Sequence, residues 1–68
     1  MSGSTYKKIE IVGTSSESYA KATANAIEKA SESVHGMCWF EVSEMRGAIE
    51  DGKVKEYQVT LRIGFKVD

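Results

Sequence analysis

Along most of this chain apolar and polar residues alternate with a period of two; in one stretch they follow a helical period instead. The longest alternating region runs from Cys38 to Val67. It contains two runs, CWFEVSEMRGAIE and KVKEYQVTLRIGFKV, joined by Asp51-Gly52. Asp-Gly between β-rich runs signals a hairpin, because a two-residue type I′ turn needs positive φ at both positions. A turn this tight pairs Glu50 with Lys53. Counting back, Met45 faces Gln58, Ser43 faces Thr60, Glu41 faces Arg62, Phe40 faces Ile63 and Trp39 faces Gly64. A β-bulge would slip that register by one. One face then carries Phe40 and Val42 with Tyr57, Val59, Leu61, Ile63 and Phe65, which reads as a core face. The other carries Trp39, Glu41, Ser43, Met45, Gln58, Thr60, Arg62 and Gly64, a mixed face with the single tryptophan at one end.

Met1 to Ser4 is small and polar and reads as a flexible N-terminal arm; residues 5–68 read as one domain. Thr5 to Gly13 predicts a first strand, with Ile9 and Ile11 on one face and Lys8, Glu10 and Val12 on the other. Gly13-Thr14-Ser15-Ser16 closes it as a turn and cap cluster. Glu17 to about Val34 predicts a helix, with Ser15 or Ser16 as N-cap and Glu17 in the first turn, where it suits the helix dipole. Ala20, Thr23, Ala24, Ile27, Ala30, Ser31 and Val34 form the expected inward stripe. The stripe is mostly small, so the sheet is expected to curl closely round the helix. Gly36 is the expected helix stop, with His35 in the last turn.

The order strand, helix, strand, strand gives an α+β fold. The first and second strands run in the same direction, so a fully antiparallel sheet has the order 1-3-2; strand one beside strand two would be a right-handed crossover instead. The thirteen strand residues from Cys38 to Glu50 span ~43 Å, whereas eighteen helical residues span only ~27 Å. The turn end of the hairpin therefore outruns the helix. On that overhang Glu44 sits opposite Val59 and Arg46 opposite Tyr57, so the core face is expected to turn polar there. Unpaired strand edges of this kind invite packing against copies of the same chain.

Length and composition point the same way. A chain of 68 residues buries only ~60% of its unfolded surface, and a core of that size rarely supplies more than ~3–5 kcal/mol. One cysteine and one histidine leave no internal disulfide and no zinc-type ligand set. Oligomerisation is the remaining supplement. The net charge is −1, without a basic stripe, so nucleic acid is not the expected partner. No apolar run is long enough to span a membrane, and no secretory signal is visible. A cytoplasmic protein is expected.

Few residues suggest chemistry. Trp39, with Gly64 leaving room across from it, is either a stacking platform for a flat aromatic ligand or a plug in a subunit interface. Gln58 offers an amide that matches the edge of a heterocycle, or is simply a solvated cross-strand residue. Along one strand the two lie ~20 Å apart, so a ligand that touches both must lie between subunits. Glu41 and Arg62 read as a surface pair. Glu44 and Arg46 suit intersubunit ion pairs, and Arg46 or Lys66 also suits a phosphate. Gly13 to Ser16 lacks the lysine and glycine spacing of a nucleotide loop and reads as a cap. Cys38 and His35 have no third group to orient them, and no carboxylate pair stands out. The chain does not read as an enzyme.

Taken together, YKKIEIVGTS (Tyr6–Ser15), WFEV (Trp39–Val42), Arg46-Gly47 and EDGKVKEYQVTLRIG (Glu50–Gly64) with Phe65 resemble the dodecins, over nearly the whole chain after Ser4. The resemblance implies a β-α-β-β fold with the sheet wrapped round the helix, and a hollow homododecamer. It implies storage or sequestration of flavins (riboflavin, FMN, lumichrome-type compounds) rather than catalysis. It implies that flavin rings stack in pairs between tryptophans of different subunits, Trp39 here, and that Gln58 bonds the polar edge of the flavin. A flavin held against an indole should be quenched and protected from photochemistry. Two positions depart from the pattern. Ser16 replaces a common proline, which weakens the cap slightly, and Cys38 stands beside the tryptophan. Arg46 and Lys66 would favour a phosphorylated flavin. Coenzyme A is a further partner the resemblance allows. The alternatives are a structural homo-oligomer scaffold, a binder of coenzyme A or another small ligand without a flavin role, and, last, a small flavin enzyme.

Overall fold

The computed structural model describes residues 3–67. Strand β1 (Thr5–Ser15) leads to helix α1 (Tyr19–Ala30), then to β2 (Met37–Glu50) and β3 (Lys53–Val67). The three strands form one antiparallel sheet in the order β1-β3-β2. This is the α+β, β-α-β-β architecture expected from the pattern. Of the N-terminal arm, Met1 and Ser2 lie outside the described residues, and Gly3 and Ser4 precede β1 without regular structure.

The hairpin turn forms at Asp51-Gly52, where both residues take positive φ (54° and 73°). Glu50 pairs with Lys53 as expected. The register then departs from simple counting. Ala48 pairs with Glu56 but Ile49 with Val54, so Lys55 is an extra residue on β3. Ser43 is an extra residue on β2, between the pairs Val42–Leu61 and Glu44–Thr60, and its hydroxyl bonds the Thr60 carbonyl at 3.3 Å. The first bulge slips the register by one and the second restores it. From Phe40 to Val42 and at Trp39 the expected pairs hold. Between the bulges they do not: Gln58 faces Arg46 rather than Met45, Thr60 faces Glu44 rather than Ser43, and Val59 faces Met45 rather than Glu44. Arg46 is likewise not opposite Tyr57; Gly47 is.

This shift changes the character of the overhang. Strand alternation now places Met45, Gly47 and Ile49 with Val54 and Tyr57 on the helix side, and moves Glu44 and Arg46 to the outer face. The expected polar core face is in fact apolar. Met45, Ile49 and Val54 are all more than half exposed there.

The helix begins later and ends sooner than its sequence suggests. Ser15 does not cap it. Its hydroxyl accepts from the backbone N–H of Glu17 and of Ser18, a local turn that carries the chain out of the strand. Ser18 is the N-cap, accepting from the Lys21 N–H at 3.0 Å, and Glu17 lies outside the first turn. The helix stops at Ala30 with Ser31 as C-cap. Gly36, φ 76°, does not end it; it lies six residues further on, where its carbonyl accepts from Lys66 N–H and starts the β2 pairing. Of the expected stripe Ile27 packs against the core, but Ala20 and Ala24 are exposed; Tyr19, Ala22 and Ala26 take the other inward positions.

Small residues set the approach distance of helix to sheet. A Cβ on Gly13 would fall 2.6 Å from Ala26 Cβ and closer still to the Ala22 carbonyl oxygen. The buried core is Ala22, Ala26, Val59, Leu61 and Ile63. The helix packs on β1 and β3 and leaves Phe40 and Val42 of β2 about half exposed. The chain measures 57 × 21 × 13 Å with a radius of gyration of 14.3 Å, against ~11 Å for a compact domain of this length. Its sheet face is built for more cover than one helix gives.

Candidate functional site

The outer face of the sheet, away from the helix, holds the residues selected from the sequence. Trp39 pairs with Gly64. A Cβ on Gly64 would lie 2.6 Å from Cη2 of the indole and closer to Cε2 and Cζ2. The ring thus crosses the β3 backbone in the space that any side chain would fill. Beyond it lies Tyr6 of β1, with ring centroids 5.2 Å apart and planes tilted by 59°. Tyr6 braces one edge of the indole, and Trp39 stays 41% exposed. Tyr6 was not selected from the sequence. Its place beside the indole follows from the β1–β3 register, which sets Tyr6 opposite Lys66; the sequence pattern predicts the strand order but not that register.

Lys66 lies two residues beyond Gly64 on the same face, at the tryptophan end. Cys38 is an unpaired, exposed bulge residue between Met37 and Trp39; its thiol bonds the Gly36 carbonyl at 3.2 Å. With Met37, Phe40, Ile27 and Ile63 it lines an open cleft of about 210 Å³ beside the indole. A larger groove of about 440 Å³ between α1 and β1 contains none of the selected residues.

Charges knit the centre of this face. Lys8 pairs with Glu41, and Arg62 with Glu10 at 3.6 Å. Glu41 and Arg62 are register partners, but each takes its ion-pair partner from β1. The Lys8 ammonium, hydrogen-bonded to Glu41, holds that carboxyl below the usual carboxylate range.

Gln58 and Arg46 sit at the opposite end. Arg46 Nε donates to Gln58 Oε1 at 2.7 Å, and Gln58 Nε2 donates to Glu56 Oε1 at 2.9 Å. The structure therefore splits the four selected residues into Trp39 with Lys66 and Gln58 with Arg46. Six residue steps along β3 from Gly64 to Gln58, ~20 Å of strand, separate the groups. The half-exposed indole leaves a ring face open to stacking, and the Gln58 amide retains one N–H and one lone pair. One chain cannot offer both to the same small ring.

Among the described residues, no three His, Cys, Asp or Glu side chains gather to hold a metal ion, and no helix is long and apolar enough to cross a membrane.

The dodecin family model matches residues 5–68. The dodecin of Thermus thermophilus is 46% identical over 66 residues, covering 97% of this chain and 96% of the relative. The calcium dodecin of Mycobacterium tuberculosis is 34% identical, covering 94% and 90%. The dodecin structure from Streptomyces coelicolor superposes with a TM-score of 0.94 at 44% identity, covering 100% of this chain and 97% of that one. Sequence pattern, fold and these relatives agree: the chain belongs to the dodecin family, a family of small binding proteins.

Proposed function

We propose that this protein stores or sequesters flavins, riboflavin or FMN, in a cytoplasmic homododecamer that is not an enzyme. In this reading flavin rings stack on Trp39 of one subunit while Gln58 of another bonds the polar edge. The observation that carries it is the indole laid across Gly64, braced by Tyr6 and still 41% exposed. A tryptophan serving only as core filler would be covered by its own chain. A flat ligand closes over the exposed part, with gain from burial and ring contact.

The apolar overhang supports assembly. Met45, Ile49 and Val54 are exposed on one side of a strand pair that no helix covers. Assembly is also what the separation of Trp39 and Gln58 demands, since ~20 Å of strand keeps one chain from offering both to one ring. Lys66 at one end and Arg46 at the other supply positive charge for the phosphate of FMN. When bound, the flavin would supply a reducible, photoactive ring; the chain's own residues would hold it, orient its edge and exclude water.

The test is Trp39→Ala. Riboflavin binding should be lost while the particle mass stays that of the wild type. Loss of the assembly together with binding would instead make Trp39 an interface residue and favour a structural scaffold.

A further inference from the structure

Gln58 is held from two sides by partners of opposite kind. Arg46 Nε donates to its carbonyl oxygen at 2.7 Å, and its amide nitrogen donates to Glu56 Oε1 at 2.9 Å. The two ends of an amide have nearly the same shape, but these partners are not interchangeable. A guanidinium only donates and a carboxylate only accepts. Turning the amide over would set its NH₂ against Arg46 and its oxygen against Glu56, losing two charge-assisted hydrogen bonds at once.

The bulges create this arrangement. With the register counted straight back from the turn, Met45 would face Gln58. The extra Lys55 slips the pairing by one and brings Arg46 opposite. Glu56 lies two residues before Gln58 on the same strand, hence on the same face, and is partly buried.

We propose that Arg46 and Glu56 are positioning residues that lock the Gln58 amide in one orientation, so that it presents one N–H and one carbonyl lone pair in fixed order to a cyclic amide or imide edge. The inference rests on the flavin reading of Gln58 given above. It assigns Glu56, which need not touch the ligand, a part in recognition. It also gives Arg46 a role that is independent of any phosphate. A flavin's imide edge sets an N–H between two carbonyls, so an amide with one free donor and one free acceptor matches it. A locked amide avoids the cost of immobilising a flexible side chain at the moment of binding.

The experiment is a double-mutant cycle with riboflavin, which carries no phosphate. Kd is measured for the wild type, Glu56→Ala, Gln58→Ala and the double variant. Glu56→Ala should weaken binding about threefold to tenfold, the cost of ordering one side chain. In the Gln58→Ala background it should weaken binding no further, because there is no amide left to orient. Glu56→Gln keeps an acceptor oxygen and should regain most of the affinity. A readout without ligand accompanies this: the side-chain amide resonances of Gln58 should move in Glu56→Ala and stay near their wild-type positions in Glu56→Gln. Unmoved resonances in Glu56→Ala would overturn the lock. An equal loss of affinity in both Gln58 backgrounds would overturn the positioning role, since Glu56 would then act through the fold. Absence of riboflavin binding by the wild type would overturn the flavin reading itself, leaving the resonances to decide the lock.

Discussion

Gly64→Ala separates the seat of the indole from the rest of the fold. The new Cβ would lie 2.6 Å from Trp39 Cη2 and closer to two further ring atoms, so the ring must move by about 1 Å or more to regain ordinary contact. The obstructing atoms are the far end of a half-exposed side chain, which can swing away. Moving it costs ~0.5–1.5 kcal/mol in rotamer strain and ~0.5–1.5 kcal/mol in lost contact with Tyr6. Replacing glycine in a strand interior returns ~0.5–1 kcal/mol. The net loss of stability is then at most ~2–2.5 kcal/mol, and the chain should still fold. Ligand affinity should suffer more. Stacking of a flat ring on an aromatic side chain is worth ~1–3 kcal/mol, so a displaced indole should weaken riboflavin binding about 5- to 150-fold. The assays are tryptophan emission, near-ultraviolet circular dichroism and a riboflavin titration on one sample. A variant with wild-type emission and undiminished quenching would refute the placement of the indole over Gly64.

Other expectations follow from the same geometry. Gly13→Ala should be far worse for stability than Gly64→Ala: its Cβ meets the backbone carbonyl of Ala22 and the Ala26 methyl, neither able to swing aside. A loss of about 3 kcal/mol or more is expected, read as early thermal unfolding. Lys8→Ala should let the Glu41 carboxyl titrate higher, towards its ordinary value, as followed by carboxyl NMR shifts. Because the folded-state value is lowered, the stabilisation from this pair is present at neutral pH and is lost as pH falls through the lowered value. Stabilities of wild type and Lys8→Ala should therefore converge in acid. Met45→Glu should weaken assembly, since the overhang's helix-side face is apolar and exposed; a lower particle mass on sizing with light scattering checks it.

Much of the fold was legible because its strongest signals are local. Asp51-Gly52 places the hairpin, period-two alternation marks the strands, and a helix between two strands of like direction puts β3 in the centre. The register near Trp39 was legible for a subtler reason: the bulges at Lys55 and Ser43 cancel, so counting from the turn returns to the right pairs. Between them it fails, because nothing in KVKEYQ marks which residue is extra. That failure hid the contact of Arg46 with Gln58 and the apolar overhang. The helix phase was ambiguous for another reason. Alanines occur at both Ala20/Ala24 and Ala22/Ala26, and only the packing against Gly13 decides between them. Three serines near the helix start, Ser15, Ser16 and Ser18, offered several caps, and tertiary position selected Ser18. Trp39 was legible as a candidate because it is the only indole on a polar face; Tyr6 needed the third dimension.

The most direct test of the account is a titration of the purified protein into riboflavin and into FMN, following flavin fluorescence, with particle mass measured on the same sample. The account predicts strong, saturable quenching near one flavin per chain on a dodecamer. An intact large particle that leaves flavin fluorescence unchanged would contradict it.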